Sequence, residues 1–197
     1  MKEEISRIFE DSAKLKQRFA RENAELIQDV VELVAACFTR GNKLLLFGNG
    51  GSATDASHLA AEFVNRFLLE RPGLPAIALN TDMAVLTSIS NDYDYSEIFA
   101  KQLKALGQEG DVAIGISTSG SSPNVVKAFA AAKDMGIKTV ALTGSKNKGG
   151  KLASVADYAF IVPSPDTPRV QEVHITLGHV ICQLVDERLF GNGRGKH

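Results

Sequence analysis

The chain is 197 residues long, 44% hydrophobic and 23% charged, a globular balance that excludes disorder and collagen-like repeats. A chain of this length forms one domain and buries a large core without disulfide staples. Its 22 Lys and Arg against 23 Asp and Glu leave a net charge of −1, so no basic footprint exists for gripping nucleic acid or an anionic membrane.

The opening stretch MKEEISRIFEDS is too charged for a secretory signal, and no apolar run reaches the roughly 18 residues of a membrane span. The expectation is a cytoplasmic protein. Residues 1–40 read as helix, with Ile5, Ile8, Phe9 and Leu15, then Leu26, Ile27, Val30, Val31 and Val34 at three- and four-residue spacing. Such an arm has too little apolar surface for a core of its own. It is expected to pack on the domain and, in part, on another subunit.

From Lys43 the pattern changes to short apolar runs: 44–47, 76–79, 112–116, 139–142 and 158–162. Helical stretches at 57–69, 95–106 and 124–135 separate them. Continuous apolar strands alternating with helices predict a doubly wound, flavodoxin-like α/β domain with a five-stranded parallel sheet. A last helix is expected from Thr167 to Phe190, with the tail GNGRGKH frayed beyond it. Cys37 and Cys182 fall in apolar helical stretches and read as reduced core residues. No break divides 1–197, so the expectation is one domain with 1–40 as an oligomerisation arm.

Ligands of such sheets sit at the carboxyl ends of the strands, which directs attention to the loops there. The first strand runs into Gly48-Asn49-Gly50-Gly51-Ser52 and a helix start, suited to an anion or hydroxyls. Gly48, Gly50 and Ala53 also satisfy a loose dinucleotide pattern, and a tight turn capped by Ser52 is the plainer alternative. The third strand is followed by Ser117-Thr118-Ser119-Gly120-Ser121-Ser122-Pro123. A cap needs one hydroxyl, and this loop offers five, which points to a phosphate cradle. No Gly-Lys-Ser/Thr follows, so the ligand is a monoester phosphate and not a nucleoside triphosphate. Asn80-Thr81-Asp82 and Asn91-Asp92-Tyr93 could meet sugar hydroxyls or serve as turns and caps.

His58 and Glu62, four apart, share one helix face. On the last helix His174 and His179 point about 140° apart, whereas Gln171 and His179 are about 80° apart and can converge, leaving His174 for a different surface. A carboxylate and an imidazole beside a sugar-phosphate pocket suit proton transfer next to a carbonyl, as in aldose–ketose isomerisation. The same His58, Glu62, Gln171 and His179 could instead hold Zn²⁺. Both readings stay open here, because they compete for Glu62.

The runs GNGGSATDASHLAAEFVNRF, NTDMAVLTSISNDYDYSEIF, GDVAIGISTSGSSPNVVKA, VALTGSKNKGGKLA and RVQEVHITLGHVICQLVDERLF resemble the phosphoheptose isomerases, a family of the sugar-isomerase (SIS) fold, over nearly the whole chain. The resemblance implies conversion of sedoheptulose 7-phosphate to glycero-manno-heptose 7-phosphate by a homotetramer whose active sites draw on more than one subunit. It implies substrate contacts at Asn49, Gly50, Gly51, Ser52, Asn91, Asp92 and Gln171, with a phosphate cradle at Ser117, Thr118, Ser119 and Ser122. Glu62 matches the base and His179 the partner acid or base. His58, Glu62, Gln171 and His179 match the ligands of one zinc ion, with no nucleotide cofactor, and His174 receives no role. One departure is the stretch KNKGG, where many members have a shorter DGG; it is expected to lie away from the chemistry. A related SIS scaffold that binds the bacterial replication initiator is the alternative, and the presence of His58, Glu62 and His179 argues for the enzyme. A nicotinamide-dependent dehydrogenase rests only on the loose glycine pattern.

Overall fold

The computed structural model describes residues 1–191, apart from the side chains of 146 and 147. The expectation of a frayed tail, Gly191 apart, therefore concerns residues outside those described. Five parallel strands lie in the order β2-β1-β3-β4-β5, with β1 at Leu44–Gly48, β2 at Ala76–Ala78, β3 at Val112–Ser117, β4 at Lys138–Gly144 and β5 at Tyr158–Val162. This is the expected doubly wound order, and the strand runs fall where the apolar stretches put them.

The runs are continuous because both faces of the sheet are covered. Leu44 and Leu46 of β1 and Val112, Ile114 and Ile116 of β3 join one apolar cluster, while Leu45, Phe47 and Ala113 join the other. Alternation along a strand thus places apolar residues on either side. The first face is covered by α2 (Ala24–Thr39), α3 (Gly51–Val64) and α8 (Thr167–Phe190), the second by α5 (Ile98–Leu106), α6 (Pro123–Asp134) and α7 (Gly150–Val155). Cys37 and Cys182 are free and buried, as expected, and burial raises both thiols, Cys37 to about 11.

The first 40 residues are two helices rather than one arm, α1 at Lys2–Glu22 and α2, broken at Asn23. Seven residues of α2 are buried, from Ile27 to Phe38, so it belongs to the core. In α1 only Ser12 and Phe19 are buried. Its first turns leave Ile5, Ile8 and Phe9 at 51%, 40% and 74% exposure. A further helix, α4 (Met83–Asp92), was not expected from periodicity; none of its residues is buried, and Asp82 caps it by accepting from the Val85 N–H at 3.0 Å. No described helix is long and apolar enough to cross a membrane.

Candidate active site

The glycine loop turns at Gly50, whose φ of +56° a side chain would strain. Gly50 itself is the residue before α3, so Ser52 lies within the helix, 3% exposed, and does not cap it. The plain reading of a Ser52 cap is therefore wrong. Gly51 opens α3 and faces α8: a Cβ there would come within 2.5 Å of Gln171 Nε2. Gln171 is thus placed against the glycine loop.

The hydroxyl loop behaves similarly. Ser122 stands at the N-cap of α6 with Pro123 just inside, yet its hydroxyl makes no capping bond. It meets Ser117 Oγ at 2.9 Å, and Ser119 Oγ lies 3.5 Å from Ser117 Oγ. Thr118 holds the loop to β4 by accepting from the Gly144 N–H at 3.1 Å. Hydroxyls grouped at an uncapped helix start fit an anion better than a cap.

The two loops are joined by residues that spacing alone did not single out. Asn49 and Asn124 exchange amide bonds, and Tyr95 Oη donates to Asn49 Oδ1 at 2.9 Å. Asn124 Oδ1 also accepts from the Val125 N–H at 2.9 Å. Contacts across 75 positions leave no periodic trace in the sequence. Asn91 and Asp92 end α4, exposed, with Asn91 Nδ2 donating to Asp92 Oδ1 at 2.9 Å.

The stretch KNKGG does not lie away from this site. The Leu152 N–H donates to the Gly120 carbonyl at 2.9 Å, and a Cβ on Gly120, φ +63°, would collide with the carbonyl of Gly149. The segment leading into α7 packs directly on the hydroxyl loop. Sequence order hid this, because β4 intervenes.

On α3 and α8 the structure brings His58, Glu62 and His179 together, with one ligand atom from each within 4.8 Å of the others. His58 Nε2 lies 2.8 Å from His179 Nε2 and 3.3 Å from Glu62 Oε1. The helices can approach because Gly178 offers no side chain to Leu59, where a Cβ would come within 2.5 Å of both methyls. Phe67 stacks on His179, centroids 5.4 Å apart. Burial, and then the neighbouring His58, lowers the His179 pKa against the raising effect of Glu62. Two imidazole nitrogens this close either share one proton or direct both lone pairs at a cation, and the adjacent carboxylate suits the second.

His174 does not reach a surface. It is fully buried on the sheet side of α8, its Nε2 3.2 Å from the Thr143 carbonyl, and burial lowers its pKa to about 4. The angular argument separated it from His179 but carried no information on which side was core.

A five-stranded parallel sheet with two hydroxyl- and amide-lined loops and an adjacent acid–base cluster defines a sugar-phosphate enzyme of the SIS class; the SIS-domain family model matches residues 8–144. Within that class the chain belongs to the phosphoheptose isomerase family. It is 64% identical over 190 residues to the phosphoheptose isomerase of Thermodesulfovibrio yellowstonii, covering 96% of this chain and 94% of that one. The phosphoheptose isomerase structure from Neisseria gonorrhoeae matches with a TM-score of 0.88 at 41% identity, covering 94% of this chain and 98% of that chain. That from Francisella tularensis matches with a TM-score of 0.89 at 38% identity, covering 94% and 97%. The chain is an isomerase. Nothing in these relatives favours a replication-initiator scaffold.

Proposed function

We propose that this isomerase converts sedoheptulose 7-phosphate to D-glycero-D-manno-heptose 7-phosphate through an ene-diol, at the entry to bacterial heptose synthesis in the cytoplasm. The observation that carries the reading is the meeting of Glu62, His58 and His179 within 4.8 Å, on helices that begin at or pack on the glycine loop. The hydroxyls of Ser117, Thr118, Ser119 and Ser122 hold the phosphate, and the glycine loop residues Asn49, Gly50, Gly51 and Ser52, with Asn91, Asp92 and Gln171, meet the sugar.

Glu62 takes a proton from the hydroxymethyl carbon beside the ketone. The electron pair forms the ene-diol, and a proton returns to the former carbonyl carbon, while His179 serves the oxygens as acid and base. Burial favours the neutral imidazole, and a ring that holds a cation through one nitrogen keeps the other for exchanging a proton. The donor set of His58, Glu62 and His179 fits Zn²⁺, with Gln171 as a fourth ligand by resemblance. When bound, the ion supplies positive charge opposite the developing oxyanion. Glu62 has two carboxylate oxygens, so holding a cation with one leaves the other for the proton.

The apolar side chains of Ile5, Ile8 and Phe9, exposed on α1, support assembly through this helix into a homotetramer. Light scattering on the purified protein checks the mass. The reaction is tested by incubating the protein with sedoheptulose 7-phosphate and following the aldose. Absence of turnover both with and without added zinc rejects the proposal.

A further inference from the structure

Arg71 lies between α3 and β2, and its side chain and that of Asp186 on α8 are each 1% exposed. Its Nε donates to Asp186 Oδ1 at 2.9 Å. Nη2 donates to the Glu62 carbonyl at 2.9 Å, and Nη1 reaches the carbonyls of Phe63 at 2.7 Å and of Asn65 and Pro72 at 3.1 Å. The Glu62, Phe63 and Asn65 carbonyls are those at the end of α3, which lack helical partners and carry the negative end of the helix dipole. A planar guanidinium serves several diverging acceptors in a way an ammonium cannot.

The position is what matters. Asp186 follows His179 by seven residues, two turns along the same face of α8. One side chain therefore grips the main chain of Glu62 and, through Asp186, the face of the helix that carries His179. Stability alone is a poor reason for such a pair, since well-packed apolar residues do as well or better.

We infer that Arg71 is a positioning residue, which fixes the end of α3 against α8 and so sets the separation of Glu62 from His58 and His179. It touches neither the sugar nor the metal ligands' side chains. The inference rests on the reading of these three residues as the acid–base and metal group.

Two variants test it in the full-length protein. Arg71→Lys keeps the charge and loses the fork; Asp186→Asn keeps the shape and loses the charge. Each is checked for fold by circular dichroism, then measured for kcat and KM with sedoheptulose 7-phosphate and for Zn²⁺ affinity without substrate. Loss of a partner that orients site residues typically weakens activity or metal affinity about 10- to 100-fold. That fall is expected in kcat and Zn²⁺ affinity for Arg71→Lys, with a smaller one for Asp186→Asn. KM stays within about threefold, because the phosphate loop hangs on β3 and α6. Folded variants with a lower melting temperature but wild-type kcat and Zn²⁺ affinity overturn the inference, as does a change in KM alone. If Arg71→Lys does not fold, Asp186→Asn decides by the same readings. An active Glu62→Gln variant would instead overturn the site reading, and the zinc titration then still decides on Arg71.

Discussion

Asn49 and Asn124 face each other edge to edge, each Nδ2 donating to the other's Oδ1 at 2.9 Å. Asn124 is 2% exposed. The pair spans from the glycine loop to the first turn of α6, so the two loops are held in one register. With Tyr95 also donating to Asn49 Oδ1, one amide hydrogen of Asn49 stays uncommitted among the described residues. A double-mutant cycle with Asn49→Ala and Asn124→Ala should therefore be non-additive, by about 1 kcal/mol in kcat/KM. Additive losses would mean that the loops act independently.

Ser122 separates the cradle from the cap. Because its hydroxyl bonds Ser117 and not the helix, Ser122→Ala should leave the melting temperature nearly unchanged and raise KM for the sugar phosphate about 5- to 10-fold, with kcat little affected. A loss of about 1 kcal/mol of stability with an unchanged KM would restore the capping role.

Glu62→Gln keeps the shape of the side chain and removes its basicity. General acid–base catalysis contributes about 10²- to 10⁴-fold, so kcat should fall by that order while binding of sugar phosphate, measured by calorimetry, persists. A near-normal rate would place the base elsewhere.

His174 predicts a pH dependence of stability. Its pKa is about 4 in the fold against an ordinary 6.5, so the unfolded chain binds more protons between those values. Stability is then fully present above about pH 6.5 and declines as pH falls toward 4, by about 2 kcal/mol between pH 7 and 5. His174→Gln, whose amide can still donate to the Thr143 carbonyl, should flatten the denaturation-midpoint profile over that range. A profile as steep as the wild type's would assign the dependence to other groups.

Much of this was readable before any coordinates. The strands were legible because both faces of the sheet are buried, which turns Leu44–Gly48 and Val112–Ser117 into unbroken apolar runs. The pair His58 and Glu62 was legible because four-residue spacing fixes a shared helix face. Helix α4 was not, since its apolar stripe is short and shallow: Val85, Leu86 and Ile89 are only half-buried and no residue of the helix is fully buried. The depth of His174, the Asn49–Asn124 pair and the contact of Gly149 with Gly120 were equally invisible. Each depends on which elements lie side by side, and local spacing holds no record of that.

His179 lies 121 positions after His58, on the helix that follows all five strands. During synthesis the glycine turn, the hydroxyl turn and the carboxylate are all made before the imidazole that meets Glu62 and His58. On the proposed mechanism, a nascent chain halted anywhere short of α8 lacks its acid–base partner, however well its sheet has formed, and competence arrives in one late step.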